Sequence, residues 1–159
     1  MMVFLGSPGI GKTQFCASLI DWIYGRVPHF RYHNEAKLFI KIRNAFKSDQ
    51  ASAEYAEALT DDHFFMYDDL GSSSSTEWSS EIIFHIIDCR YNSGRPTVIT
   101  SNLTRNEIAG KYGQRTYDRM FDSKNLVLEF HDIKSRRTGN TYEAVTAKED
   151  GARKSGMSS

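Results

Sequence analysis

The sequence predicts an α/β domain with a five-stranded, mostly parallel sheet and helices on both faces. Three observations support this fold class. Short apolar runs alternate with segments of helical periodicity along most of the chain. A glycine-rich loop follows the first apolar run, and a pair of aspartates follows the third. In an open parallel sheet these polar stretches are expected at the carboxyl ends of the strands, where ligands bind.

The chain has 159 residues, enough for one domain with a buried core. Lys+Arg and Asp+Glu number 20 each, so the overall charge neither favours nor excludes nucleic acid, and any basic surface must be local. Cys16 and Cys89 lie in apolar-periodic segments without metal-ligand spacing, which predicts buried thiols in a reducing compartment. No apolar run reaches the length of a membrane span and the start has no signal-peptide pattern, so a cytoplasmic protein is expected.

The glycine-rich loop has the P-loop pattern G-x-x-x-x-G-K-T between an apolar run at residues 3–5 and a helical segment. Its glycines allow the backbone N–H groups to turn toward a phosphate. Lys12 is expected to reach the β- and γ-phosphates of a nucleotide, and the Thr13 hydroxyl to bind Mg²⁺. An ordinary glycine turn is the alternative, and the strand–loop–helix context favours nucleotide binding. The predicted nucleotide contacts are Gly6, Ser7, Pro8, Gly9, Ile10, Gly11, Lys12, Thr13 and Gln14.

The periodicity of apolar residues predicts the remaining elements. Strands are expected at residues 3–5, 30–32, 63–67, 96–102 and 125–130. Helices are expected over residues 14–24, 35–46, 54–59, 77–91 and 112–121, with Thr76 as an N-cap. The predicted core domain spans residues 1–142 without a separate lid domain, and residues 143–159 are expected to form a disordered tail.

The third apolar run leads directly into Asp68 and Asp69, the pattern called Walker B. Asp68 is expected to hold Mg²⁺ together with Thr13, and Asp69 to orient or deprotonate the attacking water. A glutamate is more usual at the second position, so the shorter Asp69 predicts slow hydrolysis. Asn102 ends the fourth strand, where a polar side chain can hold a water against the γ-phosphate. A solvated acidic turn and a hydrogen-bonded turn residue are the respective alternatives.

Five motifs in order resemble the AAA+ ATPases of the DnaC type: G-S-P-G-I-G-K-T, F-F-M-Y-D-D-L-G, D-C-R-Y-N-S-G-R-P, T-S-N and R-T-Y-D-R-M. These ATPases are bacterial and phage replicative-helicase loaders, and the transposition helper IstB is a close relative. The first motif is shared by many NTPases, but the combination and its order are far more specific. The resemblance covers residues 1–142 and implies a RecA-like P-loop NTPase core, ATP and Mg²⁺ as ligands, and a role in DNA replication.

The resemblance implies catalytic roles at several further positions. Asn102 matches sensor 1, and Arg119 matches the arginine finger that enters the site of a neighbouring subunit, which implies self-association. Arg115 is a competing candidate for the finger. Lys134 matches the basic sensor 2, and Arg136 is its alternative because arginine would supply a fork rather than a point charge.

The resemblance also implies contacts with single-stranded DNA through the second helix and the segment after Walker B. The matching residues are Arg43, Phe46, Thr76 and Trp78. Arginine pairs with phosphate and aromatic rings stack on bases. A structural role is the alternative, since Phe46 fits the core face of its helix and Trp78 can pack against the sheet. Loaders usually dock their helicase through a separate N-terminal domain that this sequence is not expected to contain, so the resemblance is to the ATPase core alone.

The leading hypothesis is an ATP-driven switch that assembles with its own copies and acts on single-stranded DNA and a helicase. An IstB-like helper ATPase of transposition is the nearest alternative. A small-molecule or nucleoside kinase would also contain a P-loop, but it needs a lid with arginines over the phosphates, for which only Arg136 and Arg137 are available. A binding module without hydrolysis is a third class, suggested by the short Asp69.

Overall fold

The structure, a computed structural model, describes residues 1–23, 30–45 and 64–130. Within these ranges, five strands form one sheet in the order β2-β3-β4-β1-β5, and every neighbouring pair is parallel. The predicted α/β fold with its parallel sheet is thereby confirmed. The strands are β1 (Met2–Gly6), β2 (Phe30–Asn34), β3 (Phe64–Leu70), β4 (Thr97–Ser101) and β5 (Leu126–Phe130).

Helices cover both faces of the sheet because successive strand residues point to opposite sides. Val3 and Leu5 of β1 face one core, whereas Phe4 faces the other. The first core is shared with all the described helices except the first, and the second core is shared with the first helix. The described helices are α1 (Lys12–Ile23), α2 (Glu35–Ala45), α3 (Glu77–Asn92), α4 (Arg105–Tyr112) and α5 (Gln114–Met120).

Helix α3 is the element that the sequence predicts most completely. All the isoleucines of its predicted apolar face are buried, and Thr76 is its N-cap as predicted. The Thr76 hydroxyl oxygen accepts a hydrogen bond from the Ser79 N–H at 3.2 Å, and the Ser79 hydroxyl accepts one from the Thr76 N–H at 2.8 Å. This reciprocal capping box fixes where α3 begins, directly after the paired aspartates. The buried isoleucines are Ile82, Ile83, Ile86 and Ile87.

The helix predicted over residues 112–121 is confirmed as α5, which spans Gln114–Met120, whereas α4 (Arg105–Tyr112) was not predicted. Gly113 separates the two helices and lies in the left-handed region at φ 85°. Glycine adopts this φ without strain, and the non-helical backbone at Gly113 ends α4 before α5 begins. The sequence signal for α4 is the capping box Thr104…Glu107, whose side chain and backbone bonds are both present.

The prediction of two buried thiols is confirmed for Cys16 and is wrong for Cys89. On α1, Cys16, the first of these thiols, is 1% exposed, whereas the side chain of its neighbour Phe15 is 50% exposed. Helix α1 therefore packs on the row that contains Cys16 and Ile20, about 100° around the helix from Phe15. Burial, the largest cause, together with the nearby Asp68 charge, raises the pKa of the Cys16 thiol to about 12. Cys89 is only partly buried, and the two thiols form no disulfide.

Several predictions fall on residues outside the described ranges. They are the helix over 54–59, Phe46, Lys134, Arg136, and the boundary at 142 with its tail at 143–159. Among the residues that the structure describes, no helix is both long and apolar enough to cross a bilayer.

Candidate nucleotide-binding site

The carboxyl ends of β1, β2, β3 and β4 open into one cleft of about 630 Å³. The parallel arrangement causes this convergence, because every strand delivers its last residues to the same edge of the sheet. The lining residues come from the P-loop after β1, the start of α1 and the ends of β2, β3 and β4. They are Pro8, Gly9, Gly11, Lys12, Thr13, Gln14, Ala17, Asn34, Asp68, Asp69, Thr100 and Asn102.

The P-loop backbone has the geometry that a phosphate requires. Gly9 and Gly11 lie in the left-handed region, at φ 83° and 99°. A Cβ built at Gly6 would lie 2.6 Å from Cδ1 of Ile10 and 2.9 Å from the carbonyl oxygen of Phe130, so only glycine fits there. Helix α1 begins at Lys12, and its N-terminal N–H groups and dipole face the loop. The loop therefore fits the phosphates of a nucleotide.

Lys12 is held at the centre of the cleft. Its Nζ donates to the carbonyl oxygens of Gly6 at 2.6 Å and Ser7 at 3.0 Å, and to Oδ1 of Asn102 at 2.6 Å. Only 7% of Lys12 is exposed. The P-loop carbonyl groups and Asn102 thus hold the ammonium group in a fixed position beside the phosphate-binding loop.

Asp68 has hydroxyl groups around both of its carboxylate oxygens. Oδ1 accepts hydrogen bonds from Thr13 at 3.1 Å and from Thr100 at 2.6 Å, and Oδ2 accepts one from Tyr32 at 2.8 Å. Burial first, and then the bond to Asp68, raise the pKa of the Tyr32 phenol to about 12, so it is a donor at neutral pH. Asp68 itself is 4% exposed.

The residues present fit Mg²⁺ better than a metal that needs several protein ligands. A hydroxyl on Thr13 and a carboxylate on Asp68 are hard oxygen donors at hydrogen-bond distance from each other. Among the described residues, no group of three or more His, Cys, Asp or Glu side chains forms a metal cluster. Mg²⁺ typically uses one or two protein ligands together with substrate phosphates, which matches this donor set.

Asp69 takes an unusual backbone conformation that aims its side chain. Its φ is 61°, in the left-handed region, and the pairing of β3 with β4 shifts register between Tyr67 and Leu70. The Asp69 N–H donates to the Thr100 hydroxyl at 2.9 Å, and Oδ1 accepts from Nδ2 of Asn102 at 2.7 Å. The bulge therefore points Asp69 toward the same amide that contacts Lys12.

The segment that follows β3 is clamped by a buried carboxylate. Glu35 is 1% exposed, and its two oxygens accept the N–H groups of Gly71 at 2.7 Å and Ser73 at 3.0 Å. Tyr112 donates to the same carboxylate at 2.9 Å, and Lys111 donates to the carbonyl oxygens of Gly71 and Ser73. These bonds from α2 and α4 hold the chain between the paired aspartates and α3.

Replacing Glu35 with glutamine is expected to lower the free energy of unfolding by about 2 kcal/mol. The neutral amide has one acceptor oxygen in place of two, so one buried backbone N–H of Gly71 or Ser73 loses its partner. Urea denaturation measures the change. Glu81→Gln, an exposed position on α3, is the matched control and should stay within about 0.5 kcal/mol of the wild type. Equal stability of the two variants would contradict the role of Glu35.

The two candidate finger arginines lie away from this cleft. Nε of Arg119 donates to Oδ1 of Asp88 at 2.7 Å, and its guanidinium lies 5.3 Å from the Tyr91 ring centre. Arg115 lies over the Phe84 ring at 4.0 Å. Neither arginine is among the described residues that line the cleft. This placement is compatible with action on a neighbouring subunit.

The predicted DNA contacts fall into two groups. The guanidinium of Arg43 lies 5.8 Å from the Trp78 ring centre, so α2 and the first turn of α3 present these two residues together. Trp78 is partly buried and its ring also contacts Phe39 at 5.9 Å. The hydroxyl of Thr76 is used in the cap of α3, which gives it a structural role.

Sequence reasoning missed Tyr32, Glu35, Thr100 and Lys111. Thr100 has a detectable signal, because it precedes Asn102 by two residues and therefore points to the same face of β4. Tyr32 lies in β2, and Glu35 is the first residue of α2. The sequence does not indicate that β2 pairs with β3, so the contacts of these two residues could not be predicted. Lys111 falls in the helix that the sequence analysis did not predict.

A fully parallel sheet that sets a P-loop beside a strand ending in two aspartates defines the class of this protein. It is a P-loop ATP-binding protein of the AAA+ class. The sequence profile of one family, described as IstB-like ATP binding protein, matches residues 1–129, and the chain belongs to that family.

Individual relatives support the same assignment. The replicative helicase loader DnaC of Escherichia coli (strain K12) is 26% identical over 143 residues, which are 88% of this chain and 58% of DnaC. A crystal structure of the DnaC helicase loader superposes with a TM-score of 0.71 at 24% identity, and covers 81% of this chain and 77% of that one. The structure of AMPPCP-bound DnaA from Aquifex aeolicus superposes with a TM-score of 0.70 at 18% identity. This match covers 86% of this chain and 42% of that one. The chain thus spans 58% of the length of this DnaC, and the two structures show the shared fold.

Proposed function

We propose that the chain binds ATP with Mg²⁺, hydrolyses it slowly, and uses this cycle as a switch on single-stranded DNA. The observation that carries the proposal is the pair of hydrogen bonds made by Asn102, whose amide joins Lys12 on one side to Asp69 on the other. One side chain thereby sets the spacing between the cation for the γ-phosphate and the acid for the attacking water.

Each residue of the cleft has a chemical task in this proposal. The loop N–H groups and the Lys12 ammonium bind the phosphates. Mg²⁺, held by Thr13 and through water by Asp68, would neutralise charge on the phosphate oxygens. Asp69 orients the water or accepts its proton, and Asn102 holds that water in line. The water oxygen bonds to the γ-phosphorus and gives a proton to Asp69 while the bond from that phosphorus to its bridging oxygen breaks, and the products are ADP and phosphate.

Single-stranded DNA is proposed to lie over α2 and the start of α3. Arg43 is exposed and supplies a cation for a phosphate, and the adjacent Trp78 ring offers a stacking surface. Thr76 lies two residues before Trp78, and Phe46, outside the described residues, follows α2. Along the chain, the segment held by Glu35 links Asp69 in the nucleotide cleft to the start of α3.

The partners of the cycle are also proposals, because the chain covers 58% of the length of its DnaC relative. Arg119 is proposed to act on a neighbouring copy, and a replicative helicase is the proposed target. Outside the described residues, Lys134 or Arg136 is proposed as sensor 2. The family match favours one second candidate, a helper ATPase of transposition.

The primary test is phosphate release by the full chain, with and without Mg²⁺ and with and without a single-stranded oligonucleotide. We expect Mg²⁺-dependent release whose rate changes when single-stranded DNA is present. No release at any protein concentration would contradict hydrolysis. Transfer of the phosphate to an added nucleoside would identify a kinase instead, and a response to duplex DNA alone would favour the transposition helper.

Trp78→Ala is expected to weaken binding to a single-stranded oligonucleotide about 10-fold, because one base loses its stacking partner. Fluorescence anisotropy with a labelled oligonucleotide measures the affinity. The other tryptophan of the chain provides the control: Trp22 is 66% exposed on α1, on the opposite face of the sheet. Trp22→Ala should keep the affinity within about two-fold. An equal loss in both variants would rule out the proposed surface.

A further inference from the structure

Tyr32 makes a contact at the metal-binding carboxylate that the proposed roles leave unused. The hydroxyls of Thr13 and Thr100 both approach Oδ1 of Asp68, so this oxygen and the threonine of the P-loop face the same point. Oδ2 faces the other way, and Tyr32 donates to it at 2.8 Å. A carboxylate gripped at both oxygens cannot rotate about its terminal torsion, which is otherwise soft.

The strand pairing explains why Tyr32 reaches this oxygen. In the register of β2 with β3, Tyr32 is opposite Met66 and Asn34 is opposite Asp68. Residues two apart on neighbouring strands lie on one face as diagonal neighbours, a separation that a long aromatic side chain spans. Phe30 and Met66 share the core of that same face, which confirms the side on which this row lies.

The exposure of Tyr32 argues against a purely packing role. Its side chain is 45% exposed, so the ring contributes little to the core. Its hydroxyl is nevertheless directed to the least exposed acid of the cleft, Asp68 at 4%. An exposed ring with its polar tip on a buried carboxylate resembles the outer-shell partners that orient metal ligands.

We propose that Tyr32 is a positioning residue for the metal: its hydroxyl locks Asp68 so that Oδ1 stays directed at the Mg²⁺ position beside Thr13. This inference rests on the proposed function, because it assigns Tyr32 to the Mg·ATP site. Tyr32 is not among the described residues that line the cleft. Its loss changes how tightly the metal is held, and leaves the phosphate contacts of the loop and Lys12 in place.

The test is Tyr32→Phe in the full chain, which removes one oxygen atom and keeps the ring. ATP affinity in EDTA, measured by calorimetry, should stay within about two-fold. The Mn²⁺ affinity of the protein–ATP complex, measured by electron paramagnetic resonance, should fall about 10-fold. The Mg²⁺ concentration for half-maximal hydrolysis should rise by the same factor, whereas kcat at saturating Mg²⁺ should change little.

The matched control is Tyr67→Phe on β3. The Tyr67 hydroxyl is buried and has no hydrogen-bond partner in the described structure, so its removal should leave metal affinity unchanged.

An additional variant, Asp68→Asn, completes a double-mutant cycle. In the Asp68→Asn background, Tyr32→Phe should cause no further change in Mn²⁺ affinity. This cycle separates a positioning role from a general loss of stability, which would lower Mn²⁺ affinity in both backgrounds.

Two outcomes would overturn the inference, and they are distinguishable. A folded Tyr32→Phe variant with wild-type Mn²⁺ affinity would remove the role of Tyr32 and leave the ATPase proposal standing. A wild-type protein that binds ATP equally well with EDTA and Mg²⁺, and leaves the Mn²⁺ affinity of ATP unchanged, would contradict both the role of Tyr32 and the ATPase proposal.

Discussion

Lys12→Ala is expected to reduce the affinity for Mg·ATP about 100-fold and to abolish measurable hydrolysis. The Lys12 ammonium is buried beside the phosphate-binding loop, and three oxygen acceptors hold it there. Removing it leaves the negative phosphates without their nearest side-chain cation, and it also releases Asn102 from the loop. Calorimetry with ATP and Mg²⁺ measures the affinity, and phosphate release measures turnover.

Asp69→Asn is the matched control for this prediction. Asparagine tolerates the left-handed backbone at this position as aspartate does, and its amide oxygen can still accept from Asn102. We expect this variant to bind Mg·ATP with wild-type affinity but to lose hydrolysis, because the acid for the attacking water is gone. Unchanged Mg·ATP affinity in Lys12→Ala would refute the assignment of the P-loop.

Arg119→Ala is expected to reduce hydrolysis about 1,000-fold while nucleotide affinity stays within about two-fold. In the structure, Asp88 holds the guanidinium through Nε, and among the described residues the two terminal nitrogens have no hydrogen-bond acceptor. A guanidinium oriented in this way can present its terminal nitrogens to a phosphate on a neighbouring copy. Hydrolysis by the wild type should then rise faster than linearly with protein concentration.

A mixing experiment tests whether the arginine acts between subunits. Arg119→Ala and Asp69→Asn chains are each inactive in this scheme, but a mixture contains interfaces with an intact Asp69 on one side and an intact Arg119 on the other. Partial recovery of hydrolysis is expected in the mixture. Arg115→Ala serves as the control and should keep most of its activity. Activity proportional to concentration at every dilution, with no loss in Arg119→Ala, would exclude a finger at this position.

The features that could be predicted from the sequence are those that one contiguous segment of the chain determines. The P-loop has fixed spacing because one backbone segment must wrap one phosphate group, and the paired aspartates follow directly from a buried strand. Helix α3 was predictable for a similar reason, since its four buried isoleucines form one continuous face above a capping threonine. In each case the physical cause and the sequence signal lie within a few residues of each other.

The features that could not be predicted depend on which strands pair and in which register. Tyr32 contacts Asp68, and Glu35 contacts Gly71, each across 36 positions of the chain. No local pattern specifies these distances. Helix α4 was missed because it buries only Ile108 and Tyr112, too few residues for an apolar periodicity to stand out.

The left-handed backbone at Asp69 limits how the proposed ATP hydrolysis could be accelerated. Glutamate at the second acidic position would reach a methylene farther toward the water, which makes Asp69→Glu the obvious substitution for faster turnover. At a φ of 61°, however, a longer side chain lacks the local stabilisation of Asp and Asn and costs about 1 kcal/mol of conformational strain. The displaced register between β3 and β4 would therefore couple the rate of the proposed hydrolysis to strand geometry, and a faster variant would need a second substitution that removes the bulge.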